Sequence, residues 1–313
     1  MVTVNCPVHA ANNFNKDTWL SNVQNAGKPY SIKAFTVSDE VVYRFELRHK
    51  ELFEDGKGDR VERTEASPIS KGLFWGDKGW FTTKIRLDRS DWEKVLDHSV
   101  KVSPTIFQWK SGDCGDAGPL YIMFRPRHPL DNSAGSSNAR IYGYYKDDKC
   151  DRQVKISQPI ALKYDQNNQL TVCHQYGLGD EGALKVIVNG LKVVEYSGDY
   201  GAKTGQSKEG DRPKIGFYQM RWRNQGYTVP NLEGVAYVGY YTDPRWGKGW
   251  NESVCGEKPQ ARSLQLDNVP PEAKGFCSNA LGQWKRGDTA GKWIDKAKGL
   301  GLDQYSCQRL LNR

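Results

Sequence analysis

Leu184-Lys-Val-Ile-Val-Asn189-Gly190-Leu-Lys-Val-Val-Glu-Tyr196 decides the fold class of this chain. Asn189-Gly190 sits between two β-branched runs. Both central residues of a type I′ turn need positive φ, so this pairing is the strongest short-range signal of a hairpin. The same grammar recurs on either side. Residues 41–48 alternate, with Tyr43, Phe45 and Leu47 on one face and Arg44, Glu46 and Arg48 on the other. Further strands are expected from about Ser31 and over residues 60–65, 79–87, 105–110, 119–125, 139–145, 155–160, 169–175, 214–222 and 235–241. A short helix over residues 88–96 can be capped by Ser90 or Asp91. Many short strands without intervening helices imply an all-β fold, an antiparallel β-sandwich of jelly-roll, concanavalin-like type.

The 313 residues suffice for one large β domain and a small appendage. The character changes after about Arg262, which places the β domain at residues 1–262 and a small helical module at 263–313. Thr289 can cap a helix carrying Trp293, Ile294 and Ala297, and Asp303 a second carrying Cys307, Leu310 and Leu311. Cys277 and Cys307 bracket this module, and a bond between them is expected to stabilise a core too small to hold alone. A milder candidate pair is Cys150 with Cys173. The seven cysteines contain no CxxC spacing, which argues against a zinc ribbon and for disulfides in an export compartment. Secretion or periplasmic placement is therefore expected, although Met1-Val-Thr-Val-Asn-Cys6 has neither the basic start nor the apolar stretch of a signal peptide. The odd count leaves at least one thiol free or bonded to another chain.

A formal net charge of +8 and a pI near 9.0 favour an anionic partner. The basic residues are scattered along strands, and no helix-turn-helix, zinc-finger or RNP-type signature accompanies them, which argues against nucleic acid. No apolar run approaches the length of a membrane span, which argues against a membrane partner. A monomer acting on an acidic polysaccharide is the expectation that remains.

Three strands carry the chemistry. Lys214-Ile-Gly-Phe-Tyr218 puts Lys214, Gly216 and Tyr218 on one face, with the glycine expected to leave room above the sheet. Thr105-Ile-Phe-Gln108-Trp-Lys110 puts Gln108 beside Lys110, and Arg60-Val-Glu-Arg63-Thr-Glu65 puts Arg63 beside Glu65. A uronate polymer can be cleaved by β-elimination when its carboxylate is neutralised, its C5 proton removed and its O4 leaving group protonated. Arg suits the carboxylate because its guanidinium forks onto two oxygens and stays charged. Gln can donate to the same group, and a Tyr near a cation suits the proton steps.

The order Arg-Thr-Glu, Gln-x-basic, Lys-x-Gly-x-Tyr resembles the three blocks of jelly-roll alginate lyases. Tyr43-Arg-Phe-Glu-Leu-Arg48, Ile106-Phe-Gln108-Trp and Val188-Asn-Gly190 are still more similar to heparin-lyase and glucuronan-lyase relatives. The resemblance spans roughly residues 31–243 and implies a polysaccharide lyase without cofactor or metal. It makes Arg63 and Gln108 carboxylate binders and Tyr218 the acid/base. Lys110 stands where alginate lyases have a histidine, which shifts proton transfer onto Tyr218 and away from alginate as the substrate. Ala66-Ser67 follows the Arg-Thr-Glu block in place of Leu-Arg. Arg44, Arg48, Glu65, Tyr121, Arg125 and Lys214 are the expected substrate contacts. His174, a lone strand histidine, reads first as a structural residue and is kept only as a reserve base.

Each residue also has a structural reading: Arg63 as a surface ion pair with Glu62 or Glu65, Gln108 as a cap on a sheet edge, Lys110 as a solvated lysine, Tyr218 as strand packing. The competing function is a non-catalytic lectin-like module that binds acidic glycans through the same groove. A retaining glucanase lacks its Glu-x-Asp-x-x-Glu pattern. Asp113, Asp116 and the Asp55–Asp59 loop are acidic enough for calcium, but at no diagnostic spacing.

Overall fold

A computed structural model describes residues 28–48, 53–54, 60–68, 72–97, 104–110, 119–124, 138–146, 152–202, 210–219, 235–259, 270–285, 291–300, 302, 307 and 310–311. The strands are β1 (Ile32–Val37), β2 (Glu40–Arg48), β3 (Phe53–Glu54), β4 (Arg60–Ala66), β5 (Lys78–Arg86), β6 (Thr105–Lys110), β7 (Leu120–Phe124) and β8 (Ala139–Lys146). There follow β9 (Arg152–Ile160), β10 (Asn167–Gln175), β11 (Ala183–Val188), β12 (Leu191–Ser197), β13 (Gly201–Ala202), β14 (Arg212–Gln219) and β15 (Ala236–Lys248). Helix α1 (Arg89–Asp97) leaves β5, and a short α2 (Glu252–Cys255) follows β15.

Two sheets result. The first is seven-stranded in the order β1-β2-β15-β5-β10-β11-β12. The second is eight-stranded in the order β13-β8-β7-β6-β14-β4-β3, with β9 paired to β8. Apart from the short parallel β13–β8 contact, the pairings are antiparallel. The alternation read from the sequence explains why the sheets stack. Tyr43, Phe45 and Leu47 of β2 turn inward, as do Phe81 and Ile85 of β5 and Phe107 and Trp109 of β6. Phe81 stacks on Phe107 across the sandwich at 4.8 Å between ring centroids. Burying each such ring contributes roughly 1.5–3 kcal/mol. Trp92 of α1 packs against rings from both sheets, Phe124 and Phe217 from one and Tyr237 from the other, and its indole N–H donates to the Val238 carbonyl at 2.8 Å. The expected helix is thus held in the core by one aromatic anchor.

The Asn189-Gly190 hairpin forms as read. Val188 faces Leu191, and the two turn residues have φ of 52° and 77°. Strand β15 runs further than expected, to Lys248. Asp243 takes φ of 46°, and the register against β5 shifts between Thr242 and Arg245, so Pro244 sits in a bulge where no ladder donor is needed. Helix α2 was not anticipated. Its cap is local: the Asn251 side chain accepts from the Ser253 N–H.

The chain divides into two compact units, Met1–Pro259 and Gln260–Arg313. The second contains α3 (Ala273–Lys285) and α4 (Lys292–Gly299), whose core is built from Ala273, Cys277, Ala280, Leu281, Ile294, Ala297, Leu302, Cys307 and Leu310. Cys307, Leu310 and Leu311 are helical; Thr289 and Asp303 lie outside the described residues. Cys277 and Cys307 are bonded, as expected. Cys173 is bonded to Cys255, not to Cys150, which ties β10 to α2. Cys6, Cys114 and Cys150 fall outside the described residues. Among the described residues no helix is long and apolar enough to cross a membrane.

Candidate functional site

The outer face of the eight-stranded sheet carries the three motifs side by side, because β14 lies between β4 and β6. Arg63 is the direct cross-strand partner of Tyr218, and its guanidinium carbon lies 4.7 Å from the centre of the Tyr218 ring. Lys214 faces Gln108, and Lys110 faces Arg212. Ile215 and Phe217 point the other way, into the core, which is what turns Lys214 and Tyr218 outward.

Glu65 and Gln108 belong to strands on either side of β14, yet their side chains meet: Gln108 Nε2 donates to Glu65 Oε1 at 2.5 Å. They cross β14 at the level of Gly216, the cross-strand partner of Glu65. Gly216 was expected to leave space above the sheet. Its stronger requirement is conformational. Its φ is 115°, and a Cβ there would fall 2.1 Å from the Thr64 carbonyl oxygen and 2.8 Å from Phe45 Cδ1. The Gln108 amide nitrogen carries two hydrogens, so one remains for a ligand after Glu65 takes the other.

The floor of the site is buried. Arg63, Glu65, Gln108 and Lys214 are all buried, while Tyr218 and Lys110 are partly exposed. Burial pushes the Lys214 ammonium down to about 8; Glu65 opposes the shift, and Lys110, Arg63 and Arg212 add to it. Four cations therefore act around one carboxylate, in surroundings where charge is poorly screened. Arg212 was missed in the sequence. Its signal was present, since Arg212, Lys214, Gly216 and Tyr218 follow one period of two.

Next to Gln108, on β7, stands Tyr121, which faces Tyr142 of β8. The Tyr121 and Tyr142 rings lie 5.0 Å apart, and the Tyr121 and Tyr144 hydroxyls are 2.6 Å from each other. The row Lys214–Gln108–Tyr121–Tyr142 thus runs across the strands from cation to phenol.

Three expected residues do not join this face. His174 of β10 points into the core from the opposite sheet, 4.0 Å from the Trp109 ring and wrapped by Tyr176 and Tyr200. Neither ring nitrogen has a hydrogen-bond partner, and burial holds its pKa down at about 3. It is a neutral core residue, out of reach as a reserve base. Arg44 and Arg48 lie on the outer face of the seven-stranded sheet, each bonded to Glu46 at 2.6 Å. The Arg48 guanidinium also covers the Tyr30 ring at 3.6 Å. The alternation of β2 that buries Tyr43, Phe45 and Leu47 sends both arginines to that far side. Arg125 and the acidic residues considered for calcium lie outside the described residues. Among the described residues no group of three His, Cys, Asp or Glu side chains is placed to hold a metal.

No family model and no curated protein matches the chain. Solved structures do. An endo-β-1,4-glucuronan lyase from the fungus Trichoderma reesei aligns with a TM-score of 0.54 at 12% identity, over 77% of this chain and 94% of that one. The alginate lyase Aly36B aligns at 0.42 and 14%, over 73% and 87%. The catalytic domain of a glycoside hydrolase family 131 protein from Coprinopsis cinerea aligns at 0.45 and 10%, over 79% and 87%. At 12% identity the likeness to the glucuronan lyase is one of fold.

Proposed function

We propose that this chain is a polysaccharide lyase that cleaves a uronate-containing acidic polysaccharide by β-elimination. The observation that carries the reading is the Arg63–Tyr218 pair over a floor of Lys214 and Gln108, on one face of one sheet. Arg63 and the remaining Gln108 N–H bind the uronate carboxylate and spread the charge that develops when C5 loses its proton. Glu65 holds the Gln108 amide in its donating orientation. Tyr218, at the accessible edge, takes the C5 proton as phenolate and delivers a proton to O4 as phenol. The C5–H and C4–O4 bonds break, the C4=C5 bond forms, and the leaving O4 becomes a hydroxyl. Lys214, Lys110 and Arg212 supply the positive potential that favours phenolate and carboxylate alike. Tyr121 and Tyr142 offer ring faces to the neighbouring sugar. The likeness to a glucuronan lyase fold supports the same substrate class, and the Cys173–Cys255 and Cys277–Cys307 disulfides accord with an oxidising compartment outside the cytosol.

The test is an ultraviolet absorbance screen against glucuronan, alginate and glycosaminoglycans. Elimination leaves a conjugated unsaturated uronate, and hydrolysis does not. Appearance of that chromophore supports the lyase. Tight binding of the same polymers with no chromophore supports the lectin-like alternative.

A further inference from the structure

Two irregularities coincide beneath the site. On β6, Thr105 and Phe107 face Met123 and Ile122 of β7, so Ile106 is an extra residue in that pairing. On β14, Ile215 and Tyr218 face Phe107 and Thr105 of β6, so Gly216 and Phe217 stand opposite Ile106 alone. Such bulges re-aim the side chains that follow them. Ile106 and Phe107 are both buried in the core, and alternation then resumes with Gln108 outward and Trp109 inward. The bulges therefore set the aim of Gln108 and the left-handed kink at Gly216, two residues before Tyr218.

A hydroxyl from the other sheet meets both. Tyr241 of β15 is fully buried, its ring edge-on to Phe45 at 5.2 Å. Its hydroxyl donates to the Ile106 carbonyl at 2.6 Å, with the Gly216 carbonyl at 3.3 Å sharing the same proton. Burial pushes the Tyr241 phenol well up, so it stays a donor at any working pH.

We propose that Tyr241 is a positioning residue for the site: its hydroxyl clamps the β6 and β14 bulges together and so fixes Gln108 against the Lys214–Tyr218 segment. The inference rests on reading this face as the lyase site. Tyr241 touches no substrate; it acts through two backbones. A shift of about an ångström in groups that must meet one sugar costs up to about 10²-fold in rate.

The experiment is Tyr241→Phe, with Tyr237→Phe as the control that removes another core tyrosine hydroxyl. Folding is checked by circular dichroism, and kcat and KM are measured well below the melting temperature. Expected is a fall in kcat of about 10–100-fold with KM within about twofold, while Tyr237→Phe keeps the wild-type kcat. An unchanged kcat in folded Tyr241→Phe overturns the inference. Amide hydrogen exchange gives a readout that needs no activity. Residues 105–108 and 215–218 should exchange about tenfold faster in the variant, and the β10–β11 pair should not change. Uniform acceleration, or none, also overturns it. If the wild type cleaves no polyuronate, the lyase reading fails while exchange still decides the clamp. Should Tyr241→Phe not fold, Phe45→Leu keeps the hydroxyl but loosens its ring. The same selective exchange is then expected, and its absence counts against the clamp.

Discussion

Lys214 and His174 are both buried ionisable side chains, and burial drives both toward the neutral form. Their positions separate their consequences. Lys214 lies in the site with a pKa near 8 against an ordinary 10.5. As the source of positive potential it should switch off as pH rises through about 8, giving kcat/KM a descending limb there. Lys214→Arg keeps its charge and should remove that limb; an ascending limb at the same pH would recast Lys214 as the base. Between about 8 and 10.5 the unfolded chain holds this proton and the folded chain does not, so wild-type stability should rise with pH across that window. His174, at about 3 against 6.5, acts on stability alone. Below 6.5 the unfolded chain binds a proton that the folded core refuses, so stability falls as pH drops toward 3. His174→Met should lessen that acid loss by about 1–3 kcal/mol in urea titrations and leave kcat within about twofold. A large loss of kcat in the folded variant would put His174 back into the chemistry.

At the scale of elements, strand alternation made much of the site legible. The faces of residues 63–65, 108–110 and 214–218 follow from a period of two, and the sheet order β4–β14–β6 brings them together. The faces of β2 were equally legible, yet its arginines serve the other sheet. Sequence gives a strand's two faces and not its place among the fifteen described strands, so Arg44 and Arg48 look the same as Arg63 until pairing is known. His174 was readable as a structural strand histidine, although nothing local says that the apolar face of β10 includes the imidazole. The bulges were invisible too, being two-against-one pairings of β6 with β7 and with β14 that no alternation in a single strand announces. Gly216 was legible as a glycine but not for its cause. Gly216→Ala forces a side chain into positive φ and against Thr64 and Phe45. It should cost about 1–3 kcal/mol or more in chemical denaturation. Unchanged stability would mean the kink is not needed.

For the whole molecule, the sandwich, the hairpin at Asn189-Gly190 and a helical C-terminal unit were all readable from pattern and punctuation. The Cys277–Cys307 bond was readable as well, since the two residues stand toward either end of the helical unit, and both lie in its small core. Closing 30 residues of chain, it should stabilise that unit by about 3–4 kcal/mol, so a Cys277→Ser/Cys307→Ser double variant should melt α3 and α4 first. The Cys173–Cys255 bond was not readable, because α2 has no long pattern to announce it. Retained helicity in the double variant, at temperatures where the wild type is folded, would show that the small core suffices alone.

If the Arg63–Tyr218 face moves a proton on a uronate, Tyr218→Phe must slow that transfer. The substitution removes one oxygen and keeps the ring under the Arg63 guanidinium. On a polymer that the wild type cleaves with release of unsaturated uronate, kcat should fall by about 10²–10⁴-fold. Polymer affinity should stay within about threefold because Arg63, Lys110, Arg212 and Lys214 remain, a margin of under about 1 kcal/mol. A Phe variant that turns over at the wild-type rate would remove Tyr218 from the proton transfer.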